Sequence, residues 1–191
     1  MTRALAALAI LLALAGPAGA VDFDQAVARA RAGMKAGDSA KTLGGLREAI
    51  RAAWEKLPFS AINVHLVAAQ PGGYGRYLPR VDNVYRLGEP MILYMEPVGF
   101  KVRLDQKRGI YTRMMAADFN LVDAWGRVIS GRRDFGRFGG ESRHFPDQMP
   151  LTFTYNLSGL PPGEYRVETI LRDILGKKST TVAIPVVIKG P

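Results

Sequence analysis

The sequence predicts a mainly β fold: an antiparallel β-sandwich, with a barrel as the alternative, preceded by a short α-helical hairpin. Three observations carry this. Apolar residues recur at helical spacing from Phe23 to Leu57, then alternate with polar ones from about Ser60 onward. Short alternating runs follow one another, separated by Gly/Pro turns with no helical pattern between them. About eight such short runs at this spacing argue for an antiparallel sandwich. The expected organisation is a signal peptide at 1–20, a helical hairpin at 21–58 and a β-sandwich at 60–188.

The first twenty residues have the pattern of an export signal. Arg3 precedes an apolar run at 4–15, Gly16-Pro17 breaks it, and Ala18-Gly19-Ala20 offers small residues for cleavage. The run is shorter than the ~20 residues that span a bilayer. No Cys follows it, which excludes a lipid-anchored lipoprotein. The expected location is therefore periplasmic or secreted.

Two helices follow. Phe23, Val27, Ala30 and Met34 line one face of the first. Asp22 is placed to cap it, with Gln25 completing a capping box, and Gly37 sits where a left-handed residue would end it. Leu43, Leu46, Ile50, Trp54 and Leu57 line the second, which Pro58 stops. Gly44-Gly45 weakens its first turn, so this helix is expected to begin only at Leu46. With its Ala-Gly-Asp turn the pair resembles one unit of a tetratricopeptide-type hairpin, although such solenoids need about three units.

Ile62, Val64 and Leu66 alternate with Asn63 and His65, which predicts a half-buried strand with His65 on the face away from the core. Further strands are predicted at 83–87, 91–96, 101–105, 111–123, 127–129, 151–157, 165–173 and 180–188. Pro185 confines the last strand to a sheet edge or a bulge. Leu160-Pro161-Pro162-Gly163-Glu164-Tyr165 resembles the approach to a late strand of fibronectin type III and related immunoglobulin-like modules of bacterial secreted proteins. The likeness continues through the alternation at 165–173 and the run to Ile188. It implies an immunoglobulin-like sandwich in which Tyr165 bonds back to the preceding corner. Such a fold hosts adhesion, ligand binding and purely structural roles alike.

Charge excludes one class of partner. Residues 21–60 carry seven Lys/Arg against five Asp/Glu, residues 61–130 nine against six, and residues 131–191 nine against six. A surplus spread this evenly lacks the basic face of a nucleic-acid binder. It suits a milieu of anionic lipids and acidic glycans.

Catalytic patterns are sparse. Ser142, His144 and Glu141 are crowded on one segment, whereas a triad is defined by convergence in space. Glu89 and Glu96 flank one predicted strand and would stand too far apart for glycoside hydrolysis. Two isolated histidines and no cysteine do not form a metal site. No cofactor is expected.

Two segments have the composition of recognition surfaces. Residues 130–149 are predicted as a long loop in which Arg133, Arg137 and Arg143 alternate with Phe135, Phe138 and His144. Tyr74 and Tyr77 lie on a glycine-rich loop, where aromatic area is presented at little entropic cost. The leading expectation is a non-catalytic envelope protein that binds a protein partner through sandwich loops or a sheet edge. The alternative is a binder of a glycan or an anionic envelope surface through the same residues; a hydrolase stands third.

Overall fold

The computed structural model describes residues 22–190; the expected signal peptide lies outside them. The fold is mainly β. The chain divides into two compact units, one ending at Ala52 and the other beginning at Ala53.

The first unit is a helical hairpin of α1 (Phe23–Lys35) and α2 (Ser39–Trp54), the last two residues of α2 belonging to the second unit. Asp22 caps α1 as expected, accepting the Gln25 N–H at 3.0 Å. Gly37, at φ 68°, ends it, and Asp38 N–H closes the motif on Gly33 O at 2.9 Å. α2 starts well before Leu46, contrary to the sequence expectation. Asp38 caps its first turn through Lys41 N–H at 2.9 Å, which offsets the weak propensity of Gly44-Gly45. Gly45 is also required: a Cβ there would sit 2.5 Å from Ala30 N. The helices therefore meet through Ala26, Ala30 and Gly33 on one side and Gly45 and Ala49 on the other.

The second unit is a β-sandwich. The smaller sheet has the order β1 (Ser60–Val67), β3 (Pro90–Val98), β7 (Leu151–Asn156). The larger runs β2 (Val84–Arg86), β9 (Lys178–Lys189), β8 (Gly163–Asp173), β5 (Ile110–Asp123). β4 (Arg103–Asp105) pairs the start of β5 on the edge that β8 occupies further along. β6 (Val128–Ser142) pairs the other edge of β5. Met91, Leu93 and Met95 of β3 and Leu151, Phe153 and Tyr155 of β7 face the core from one sheet. Met115, Ala117 and Leu121 of β5, with Val167 and Leu171 of β8, face it from the other.

Trp54 belongs to this unit. Its indole N–H donates to Phe100 O at 3.0 Å, and its ring meets Phe100 and Phe145 edge-on. Tyr165 forms the expected corner, donating its hydroxyl to Pro161 O at 2.8 Å.

Three details differ from the sequence reading. β2 runs parallel to β9, so the larger sheet is mixed. Asn63, at φ 48°, sits in a bulge that inserts one residue into β1. Ile62, opposite Glu96, therefore faces outward, while Leu66, opposite the buried Leu93, faces inward. The third difference is the largest: the predicted loop at 130–149 is mostly strand. β6 runs to Ser142, and only the residues from Arg143 to Pro150 connect it to β7. A bulge around Asp134, at φ 51°, had interrupted the alternation that would have marked it.

Candidate functional site

The outer face of the smaller sheet carries a buried polar cluster. Tyr94 and Glu96 alternate with core-facing Leu93 and Met95 along β3, so both point away from the core. Glu96 is only 3 % exposed. Its carboxylate accepts the Tyr94 hydroxyl at 2.5 Å and the Asn63 amide at 2.7 Å, and the bulge in β1 brings Asn63 there. No Lys or Arg forms an ion pair with it among the described residues. A buried carboxylate of this kind depends wholly on its hydrogen bonds.

The glycine-rich loop folds over this cluster. Ala68 N–H bonds Leu78 O at 2.9 Å, Arg80 N–H bonds Leu66 O at 2.8 Å, and Gly75 N–H donates to the Tyr94 hydroxyl at 2.9 Å. Tyr77 stacks on His65 at 4.9 Å and lies tilted against Tyr94 at 4.3 Å. Burial, then its bond to Glu96, pushes the Tyr94 pKa up to about 12. Burial and the Glu96 charge also raise that of Tyr74, which Asp147 approaches from the β6–β7 connection. Of the two tyrosines singled out in the sequence, Tyr77 holds the loop down and Tyr74 is left partly presented to solvent.

The arginine and phenylalanine positions separate just as sharply. Phe135 stacks on Tyr155 at 5.3 Å and meets Phe119 edge-on, while Phe138 packs edge-on against Phe153. Both rings fill the space between the sheets and are not free to enter a partner's pocket. Arg137 pairs with Asp134 at 2.9 Å. Asp134 is shared with Arg172, which also forks onto Asp118 at 2.9 and 3.0 Å. Arg137, then Arg172, holds the Asp134 carboxyl below its usual range. This ladder pins the β6 bulge to β5 and β8. Arg133 and Arg143 are exposed, without a partner among the described residues. The His144 ring is exposed, and its backbone N–H, not its ring, bonds Ser142 Oγ at 3.1 Å. Among the described residues no three His, Asp or Glu side chains converge as a metal site would require.

Sequence reasoning missed an exposed aromatic feature of this unit. The β5–β6 turn is held by Asp123, whose carboxylate accepts the N–H groups of Trp125 and Arg127 at 3.0 and 2.9 Å. It holds Trp125 80 % exposed, with the Arg127 guanidinium 5.1 Å from its ring. Val128 and Ile129 follow, both exposed. Among the described strands β6 pairs only β5, so its other edge is open over a strand of fifteen residues. A tryptophan inside a Trp-Gly turn between two strand runs was the available signal.

No protein-family model matches the chain, and no curated protein matches it. Solved structures are similar only in outline. The PKD domain of an M14-like peptidase from Thermoplasmatales archaeon SCGC AB-540-F20 is 13 % identical at a TM-score of 0.36, over 66 % of this chain and 90 % of that one. Fibronectin(III)-like modules of Clostridium thermocellum CbhA are 12 % identical at 0.31, over 70 % of this chain and about half (49 %) of that one. A Niemann-Pick type C2 protein from Japanese carpenter ant is 12 % identical at 0.36, over 69 % and 92 %. The likeness is a coarse immunoglobulin-like one.

Proposed function

We propose that the protein is an exported, non-catalytic module of the cell envelope that binds a partner protein along the open edge of β6. The observation that carries this is the conjunction of an unpaired fifteen-residue strand edge with an exposed Trp125 at its end. An open edge offers a row of backbone N–H and C=O groups to an extended segment, and adjacent side chains select which segment docks. Tryptophan is a common anchor in such interfaces because it buries a large area at low entropic cost. Arg132 and Arg133 discourage pairing with a like-charged strand and favour a partner segment that carries acids. The β-sandwich, the basic surplus and the signal-like first twenty residues all agree with a role in the envelope.

The test is site-specific photo-crosslinking in envelope extract, with the probe at Ile129 on β6 or at Ser179 on β9. The expected result is one protein adduct from the Ile129 probe, none from Ser179, and loss of the adduct in Trp125→Ala at unchanged Tm. The same adducts from both probes, or none from Ile129, would overturn the reading.

A further inference from the structure

The helical hairpin leaves its large apolar residues uncovered. Phe23 and Met34 on α1, with Leu43, Leu46 and Ile50 on α2, are each between 41 and 65 % exposed. Small residues make the contact between the helices, so the large ones are not needed there.

All of these side chains lie on one side of the hairpin. Successive residues turn by about 100° around a helix, which places the α1 stripe roughly a sixth to a fifth of a turn, and the α2 stripe roughly a third of a turn, from its helix's contact line. On each helix the stripe is displaced in the same rotational sense along the chain. Arg29 and Glu48 are displaced in the opposite sense, and they meet as an ion pair across the hairpin. That pair marks one shared side, so the two stripes share the other. The result is a two-helix apolar face.

Basic groups border this face. Arg31 and Lys35 follow the stripe on α1, and Arg47 and Arg51 follow it on α2; Asp24 is the single acid on either border. Arg31, Lys35 and Arg47 are exposed and make no ion pair among the described residues, whereas Arg29 on the opposite side is paired.

We propose that this face docks the protein on an anionic lipid surface, lying in the interface without crossing it. An apolar stripe flanked by Lys and Arg is the arrangement that inserts shallowly among headgroups while the cations meet lipid phosphates. Helices of 13 and 16 residues are too short to span a bilayer. A second copy is the poorer occupant. Face-to-face pairing would crowd basic borders against one another, where an anionic surface complements them. This face and the β6 edge share no residue, and each proposal can fail without the other.

Co-sedimentation with vesicles tests it, using the chain from Val21 onward, which keeps both units and lacks the apolar run at 4–15. Binding is expected on vesicles of phosphatidylcholine with about a third phosphatidylglycerol, to weaken with added salt, and to be slight on phosphatidylcholine alone. Arg31→Glu/Arg47→Glu is expected to weaken binding at least about tenfold. Leu46→Glu/Ile50→Glu should abolish it with the helical circular dichroism unchanged, since both side chains are already exposed. Arg29→Gln/Glu48→Gln, on the opposite side, is expected to bind as the parent does. No binding to the anionic vesicles, or equal binding by the Leu46/Ile50 variant, would overturn the proposal. So would a dimer in solution that the same variant dissociates and that does not bind vesicles.

Discussion

Tyr85 and Tyr155 are both buried tyrosines of the sandwich, and they differ in one atom's company. Tyr85, 1 % exposed, keeps its ring under the Arg80 guanidinium at 4.2 Å, yet its hydroxyl has no hydrogen-bond partner among the described residues. The Tyr155 hydroxyl shares a 2.6 Å hydrogen bond with the buried Thr169. A buried polar group without a partner has lost its hydration and gained nothing in exchange. Tyr85→Phe is therefore expected to be neutral or to stabilise by up to ~1 kcal/mol, because the ring and its cation contact remain. Tyr155→Phe strands Thr169 and is expected to cost about 1–3 kcal/mol. Urea unfolding of the two variants beside the parent checks the contrast. Equal effects would mean that the Tyr85 hydroxyl is satisfied in solution.

At the scale of elements, close approach outranks local propensity. Gly45 lies inside α2, where alanine would be favoured by about 1 kcal/mol in an isolated helix. In this hairpin the added Cβ would sit 2.5 Å from Ala30 N and 2.9 Å from Ala26 O, both backbone atoms that cannot swing aside. Gly45→Ala is expected to loosen the hairpin and speed amide exchange in α1 and α2. Gly44→Ala, with nothing within 4 Å, should slow it slightly. The same priority explains what was legible in β6. Its strand signal was broken by four glycines and by the bulge at Asp134, and the partners that hold that bulge, Asp118 and Arg172, are distant in sequence. By contrast β8, an uninterrupted alternation, was readable residue by residue.

At the scale of the whole molecule, pH reports on groups from several strands together. Burial pushes Tyr85, Tyr94 and Tyr155 up to about 12, against an ordinary tyrosine value of ~10. The folded state holds these phenols neutral, so their contribution is complete below ~10 and is lost as pH rises from there towards about 12. At the acid end the signs reverse. Burial raises Asp118, but hydrogen bonds from Arg172 and from Asp134 N–H outweigh it, so its carboxyl lies below the usual range. Asp134 is likewise lowered, by Arg137 and then Arg172. Their contribution is present above ~4 and fades as pH falls below it. Tm is expected to decline at both ends, and the alkaline decline should begin near pH ~10. A Tm that holds level to pH ~12 would contradict the alkaline assignment.

The sequence by itself determined the class of fold, the two helices with the caps of α1 and most strand positions, and its resemblance to fibronectin type III-like modules implied the Tyr165 corner. The helices and strands follow from spacing and turn chemistry within a few residues of one another. Only the tertiary structure decided which strand edge stays open, which way Phe135 and Phe138 turn, and that Glu96 is the hub beneath Tyr74 and Tyr77. Each of those depends on bulges and on partners brought together from distant segments, and a single extra residue in a strand sends every later side chain to the other face.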